Sequence, residues 1–393
     1  MLSVDEAIAR LLEDCDRRVG SEQIDLMYGL GRILAEDVIA PINVPPAANS
    51  AMDGYAFRFE DWLDEDQVIP LSQRITAGSV PGHLAEGTAA RIFTGAELPE
   101  GADTVVMQEN CEAAGPGVRI LKRPPAGANV RPRGQDISAG QKILAAGHRL
   151  RPQDLGLLAS QGISAISVFN RLRVAVLSTG DELVDPGSPI QPGQIYNSNR
   201  YTMNSQLSAW GFEVVDMGIT RDDPALIRQR FSEAAERADV ILSSGGVSVG
   251  EEDHVKDVVE SLGSIDLWRI AIKPGKPFAF GQVRGTPFLG LPGNPVSVFV
   301  TLLIIGRPYL FTCQGQADCR LPIQHGHARF DQKGSSRECY LRVRSTDEGL
   351  QLFDSQSSGV LYSTSWGNGL VRQRVGQDIG QGDLVEFIPY AAL

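Results

Sequence analysis

From about residue 171 to 312 the chain changes hydrophobic period repeatedly, and this alternation restricts its fold more than any other feature. LRVAVLS (172–178) is a continuous apolar run, as expected of a strand buried on both faces. NSNRYTMNSQLSAWG (197–211) has helical spacing, an Asn or Ser cap and a closing glycine, Gly211. FEVVDMG (212–218) reads as a strand, and DDPALIRQRFSEAAERAD (222–239) as a helix with Asp223 as cap and Pro224 in its first position. The series continues with strand ADVILSS (238–244), helix EDHVKDVVESLG (252–263) ended by Gly263, and strand IDLWRIAI (265–272). FAFGQ and TPFLGL suggest a short hairpin, and PVSVFVTLLIIGRPYLF (295–311) an apolar helix. The pattern predicts an α/β domain, an open, doubly wound parallel sheet with helices on both faces. Ligands of such sheets bind outside the carboxyl ends of the strands.

The chain has 393 residues, too many for one core, so two to four domains are expected. Residues from about 40 to 140 carry short alternating segments broken by Pro and Gly (RIFTG, TVVMQEN, GVRILKR), which predicts a β-rich insertion. KILAAGHRLRPQDLGLLASQGISAISVF (142–169) reads as strand, capped helix and strand, a connecting module. After about residue 320, RECYLRVRS, GLQLFDS and GDLVEFIPY predict a small C-terminal barrel or sandwich.

Net charge is −12, which argues against general nucleic-acid binding. No segment reads as a membrane span, and the acidic amphipathic N-terminus (MLSVDEAIARLLEDCD) fits neither a signal nor a transit peptide. Five scattered Cys without a CxxC pair are expected to be free thiols of a reducing cytoplasm. Any anionic ligand must therefore be held by local groups. The chain has six Lys against thirty Arg, and two of the six, Lys273 and Lys276, share the pentapeptide KPGKP.

Four polar clusters fall at strand ends: STGDEL (178–183), SSGGVSVGEED (243–253), KPGKP (273–277) and LPGNP (291–295). Any one of them also serves as an ordinary turn; their convergence on one rim is what points to a site. SSGGVSVG, with Ser243, Gly245, Gly246 and Ser248, has the composition of an anion cradle, in which backbone amides and hydroxyls face an oxyanion at a helix N-terminus. Glu251, Glu252 and Asp253 follow it. Acids at a helix start are favoured by the macrodipole, and Glu251 suits a cap, but three of them would repel a bound anion. A Mg²⁺ ion removes the conflict, since carboxylates and phosphate oxygens both coordinate it, and Asp253 is the expected ligand. In STGDEL, Asp181 or Glu182 after Thr179 and Gly180 either coordinates the same ion or caps a turn. The lysines of KPGKP are compact point charges suited to a small tetrahedral oxyanion. LPGNP reads as a rigid turn or as a wall for a flat ligand. No Ser–His–Asp or Cys–His arrangement is evident.

NSAMDGYA, FTGAELPEGADTVVMQE, RGQDI, STGDEL, SSGGVSVGEED, IKPGKPFAFG and LPGNPVS occur in this order, and the set resembles the molybdopterin molybdenumtransferases, the molybdenum-insertase family related to the gephyrin E domain. The resemblance covers nearly the whole chain and is most specific up to about residue 310. It implies four parts: a molybdopterin-binding α/β domain (1–20 and 171–318), a connecting module (21–40 and 141–170), a β-rich insertion (41–140) and a C-terminal β-barrel (319–393). It also implies a homodimer whose cleft lies between the sheet domain of one subunit and the insertion of the other. The activity implied is insertion of molybdate into adenylylated molybdopterin with Mg²⁺-dependent release of AMP. By position, Asp53, Thr94, Asp136, Glu182, Asp222 and Asp253 match acidic or hydroxyl residues of the family's cleft, with Glu182 and Asp253 on the metal side. Lys273 and Lys276 match the basic pair near molybdate, Arg269 continues that strand end, and Pro292, Pro295 and Ser297 match the cleft wall. Arg337 and Ser358 match only loosely, which favours a surface role on the C-terminal domain. A molybdopterin adenylyltransferase, normally a single short domain and also an expected partner beside molybdoenzyme acceptors, and a non-catalytic molybdopterin-binding scaffold are the competing readings.

Overall fold

The computed structural model describes residues 1–13, 15–245 and 254–393. Its central sheet has six strands in the order Glu213–Thr220, Arg173–Thr179, Val240–Ser244, Thr286–Leu291, Pro277–Val283, Gly263–Arg269. The first four are mutually parallel. Alternation along Arg173–Thr179 sends Val174 and Val176 into one core, and Ala175 and Leu177 into the other. The first core packs helices Val4–Glu13 and Ser198–Trp210 and the long helix from Pro295 to Gln314. The second packs Pro224–Arg237 and His254–Leu262. Helices on both faces of continuous apolar strands are what the alternating periods predict. Asn197 and Asp223 cap their helices, accepting from Arg200 N and Leu226 N, and Gly211 closes the first in the left-handed region.

The sheet is not parallel throughout. Pro277–Val283 runs antiparallel to both its neighbours, because the connections on either side of it are too short for a crossover. Arg284 and Gly285, both at positive φ, turn Pro277–Val283 into Thr286–Leu291. The predicted strand 265–272 is also divided: Gly263–Arg269 stays in the central sheet, while Ile272–Lys273 crosses to pair with Glu338–Cys339.

The helix Pro295–Gln314 has the length and hydropathy of a membrane span, yet 89% of its apolar window is buried in the fold. It widens into a π-turn at Leu302–Gly306, just before Pro308, which has no amide hydrogen to give the preceding turn.

Three further units carry the flanks. Residues 54–120 form a six-stranded sheet in the order Thr104–Met107, Gly54–Phe57, Ala89–Ile92, Val68–Ile75, Gly117–Ile120, Cys111–Ala114. Ser21–Asp25 pairs with Ala165–Phe169 and Val38–Ile39 with Lys142–Leu144, beside helix Pro152–Ser160. The C-terminal sheet runs Ile272–Lys273, Glu338–Thr346, Gly369–Gln373, Leu384–Pro389, Gln324–His327, with Gly349–Leu352 also on Glu338–Thr346. A bridge between Ala328 and Leu350 brings its far strands together. Strands 324–327 and 369–373 and the short helix Tyr362–Trp366 lie where no strong alternation marks the sequence.

Candidate active site at the carboxyl rim of the central sheet

The parallel register aligns Thr179 with Thr220, Ser178 with Ser244, and Ser244 with Leu291, so the first four strands end at one level. Ser243 is fully buried, and among the described residues its hydroxyl has no hydrogen-bond partner, nor does that of Thr220. Gly180 N donates to Thr220 O (3.2 Å) and Gly245 N to Leu291 O (3.3 Å), extending the rim one residue past the sheet. Gly245 has φ +87°, and a Cβ on it would lie 3.1 Å from Thr179 O and leave no slack between the two loops.

Beyond Gly180 the acids gather. Asp181 N donates to the Asp222 carboxylate (3.4 Å) and Asp222 N to that of Asp181 (3.2 Å). The Glu182 carboxylate folds back over Gly180, in space that any side chain there would occupy. Arg200 holds this segment from below through Asp185 (2.7 Å) and Asp216 (2.8 Å).

KPGKP and LPGNP meet across the rim. A Cβ on Gly275, at φ +108°, would overlap Thr301 Cγ2, and it would stand 3.8 Å from Pro292 Cγ. Lys273, Lys276 and Arg269 are exposed on either side of the buried Pro274–Gly275 turn. Pro295 opens its helix, and Ser297 is 3% exposed with its carbonyl accepting from Thr301 Oγ1 (2.7 Å). Asn199 Nδ2 donates to Gly293 O (2.7 Å), linking LPGNP to the helix after STGDEL. Thus Thr179, Gly180, Glu182, Asp222, Ser243, Gly245, Lys273, Lys276, Pro292, Pro295 and Ser297 belong to one run of contacting loops, with Arg269 at the base of the KPGKP turn. Gly246, Ser248, Glu251 and Asp253 lie outside the described residues.

The C-terminal sheet reaches this rim, which the sequence reading did not anticipate. Arg337 donates to Ile272 O (3.2 Å), directly before Lys273, and Val296 N donates to Ser358 O (3.1 Å) at the helix start. Both residues were expected on an outer surface; strand Ile272–Lys273 draws them inward because it is shared between the two sheets. Arg342, 1% exposed, fixes the Ser358 loop by donating to Ser357 O (3.2 Å) and Ser363 Oγ (3.1 Å). Asn199 and Arg342 were the omissions. The polar Arg inside the alternating run RECYLR was the available signal for Arg342; Asn199 reads as part of a helix cap.

Asp53, Thr94 and Asp136 form a separate group. Asp53 Oδ1 accepts from Thr94 N (2.7 Å) and Thr94 Oγ1 (2.8 Å). The Thr94 amide first, and then its hydroxyl, hold the Asp53 carboxyl below the usual carboxylate range. Gly54 allows this placement, since a side chain there would collide with Val106 O. Asp136 is exposed, its amide donating to Val44 O (3.0 Å). Pairing of Asn49–Ser50 with Val130–Arg131 sets the two segments side by side. Among the described residues, the hydrogen bonds of these three stay within residues 43–140.

The geometry defines a doubly wound α/β protein with a polar rim, flanked by β-rich units of which one carries a second acidic cluster. The sequence matches the MoeA N-terminal region (domain I and II) over residues 2–162 and the probable molybdopterin binding domain over residues 175–312. It is 43% identical over 324 residues to a molybdopterin molybdenumtransferase of Haemophilus influenzae, covering 82% of this chain and 80% of that one. A protein of the same name from Nostoc sp. is 37% identical over 350 residues, covering 87% and 77%. The crystal structure of a molybdopterin biosynthesis moeA protein from Pyrococcus horikoshii superposes with a TM-score of 0.87 at 25% identity, over 99% of this chain and 100% of that one. The chain belongs to the molybdopterin molybdenumtransferase family.

Proposed function

We propose that this transferase of molybdenum cofactor biosynthesis inserts molybdate into adenylylated molybdopterin with release of AMP. The observation that carries the reading is the meeting of STGDE, the Ser243–Gly245 turn, LPGNP and KPGKP at one rim, four chemistries that suit the parts of one substrate pair. The buried hydroxyls of Thr179 and Ser243 at the strand ends, the latter without a partner among the described residues, suit a pyrophosphate. The exposed ammonium groups of Lys273 and Lys276 suit the molybdate dianion, and Pro292 and Pro295 supply a stiff wall for the pterin. Holding both substrates in one cleft supplies effective concentration rather than a covalent nucleophile.

Among the described residues no three carboxylate, His or Cys side chains close around a metal position. Mg²⁺ does not need such a cage; it keeps several waters and binds through one or two carboxylates plus substrate phosphates. Among the described rim acids, Asp181, Glu182 and Asp222 fit that pattern; the ligands in our reading are Glu182 and, on sequence grounds, Asp253. When bound, the ion would offset charge on the phosphate oxygens as the P–O bond breaks.

The cleft is completed in our reading by Asp53, Thr94 and Asp136 of a second subunit in a homodimer, since the hydrogen bonds of these residues stay within their own insertion. The four units then act as sheet domain (1–20 and 171–318), connecting module (21–40 and 141–170), insertion (41–140) and a C-terminal barrel (319–393), the last supported by the Ala328–Leu350 bridge. Exchange of substrate with a molybdopterin adenylyltransferase and of product with molybdoenzymes follows from the chemistry, in the cytoplasm. The test is to incubate the purified protein with adenylylated molybdopterin, Mg²⁺ and molybdate and follow AMP. Molybdate-dependent AMP release is expected; AMP attachment to free molybdopterin, or binding without turnover, would replace this reading with adenylyl transfer or a scaffold.

A further inference from the structure

We infer that Cys15 and Cys313 form a redox-active dithiol, a modification site apart from the rim. Their sulfurs lie 3.4 Å apart although 298 residues separate them in the chain. Cys15 follows helix Val4–Glu13, and Cys313 stands in the last turn of the helix that begins at Pro295. The backbone holds the pair in register: Arg18 N donates to Cys313 O (2.8 Å) and the Cys15 thiol faces Tyr309 O (3.8 Å). The two sulfurs are unequal. Cys15 is half-buried, whereas Cys313 is fully buried.

Their protonation follows the same asymmetry. The hydrogen bond from Cys313 lowers the Cys15 thiol below its ordinary value; burial opposes this and Arg18 assists it. Sharing that bond, and then burial, push Cys313 up. Cys15 is therefore the attacking thiolate and Cys313 the resolving thiol. The oxidant is a small disulfide of the glutathione class. Cys15 attacks one of its sulfurs, the S–S bond breaks, and one small thiol leaves with the proton that Cys15 lost. Once Cys15 is bound in the mixed disulfide, Cys313 no longer donates to a thiolate. It gives up its proton, attacks Cys15 Sγ and releases the second small thiol. Two protein thiols are oxidised to a disulfide, and one small disulfide is reduced to two thiols.

The bond would clamp the N-terminal segment onto the long central helix. That segment also backs the strand leading into KPGKP, with Leu2 N donating to Arg269 O (2.9 Å) and Ala271 N to Leu2 O (2.7 Å). Closing so long a loop restricts the unfolded chain, so the oxidised protein is more heat-resistant. Cys319, whose sulfur accepts from Thr312 Oγ1 (3.4 Å) and faces Gln316 O, stays a thiol.

The test uses the full chain, reduced, then equilibrated in mixtures of reduced and oxidised glutathione and quenched with N-ethylmaleimide. Titratable thiols in the denatured protein should fall from five to three. A non-reducing digest should contain a Cys15–Cys313 cross-linked peptide, and the melting temperature should rise. Cys313→Ser should instead accumulate a stable glutathione adduct on Cys15, and should slow labelling of Cys15 at neutral pH. Five thiols at every ratio, or a lasting Cys15 adduct in the unaltered protein with Cys313 still free, would overturn the proposal.

Discussion

At the rim of the central sheet, loops far apart in sequence are pressed together by backbone contacts, whereas the Asp53 carboxylate is fixed by a single neighbour, Thr94, inside its own small sheet. The rim leaves its two lysines exposed and unspent: among the described residues Lys273 and Lys276 have no carboxylate partner within ion-pair distance. The insertion does the reverse, spending two donors on one carboxylate so that it stays ionised. A surface that offers cations and a surface that presents a fixed anion are complementary in sign. That complementarity is the physical reason to expect them to meet across a subunit boundary.

The sharpest way to break this comparison is to disable each half in a different subunit. Lys276→Ala and Asp53→Ala are each expected to lower kcat/KM by about 10²–10³, the cost of removing one electrostatic contact to a reacting centre. If the site is shared, mixing and reassembling the two inactive proteins forms hybrid dimers with one intact site. Activity should then return to about one quarter of the unaltered level. No recovery on mixing, with hybrids verified by mass spectrometry, would confine the site to one subunit.

Next in size is a test of whether rim geometry, rather than rim charge, matters. Gly275→Ala puts a methyl group against Thr301 at a positive φ, so the turn must shift; a destabilisation of about 2–3 kcal/mol is expected in urea unfolding. The lysines remain but move, and the molybdate KM should rise while that for the pterin substrate changes less. Equal changes in both would mean that the turn merely supports the fold.

Arg342→Ala probes the C-terminal contribution. Its guanidinium is buried and satisfies the carbonyls that shape residues 355–357, so its loss should cost about 2–3 kcal/mol and free the loop that meets Val296. Stability should fall together with molybdate affinity; a stability loss at unchanged affinity would detach the C-terminal sheet from the site.

What the sequence made legible follows from the range of the forces involved. Asp223, Pro224, Asn197 and Gly211 act within one helical turn, and each stands where its chemistry places it. The rim loops were readable for the same reason, since turn residues follow apolar runs of strand length. The fate of 265–272 was not, because apolar spacing says that a strand exists and not which sheet receives it. Arg337, Ser358 and Arg342 reach the rim only through that shared strand and the loop it supports. Asp53 and Asp136 carried no local signal beyond a turn. Their candidacy came from a family likeness, and the bond from Thr94 to Asp53 spans 41 residues.

The finest expected effect concerns that bond. Asp53 has a folded-state pKa below its unfolded value, so the bond's contribution to stability is present above the unfolded value, near 3.9, and is lost as pH falls through the lowered one. Thr94→Val removes the hydroxyl donor and keeps the amide, the larger of the two influences. The carboxyl should then move part of the way back toward its ordinary range, and the acid limb of the kcat/KM profile should shift to higher pH, with the plateau little changed. Thr94→Ser keeps the donor and should leave the limb in place. An acid limb that ignores Thr94→Val would mean that the protonation of Asp53 does not limit turnover, and the insertion would then contribute shape rather than charge.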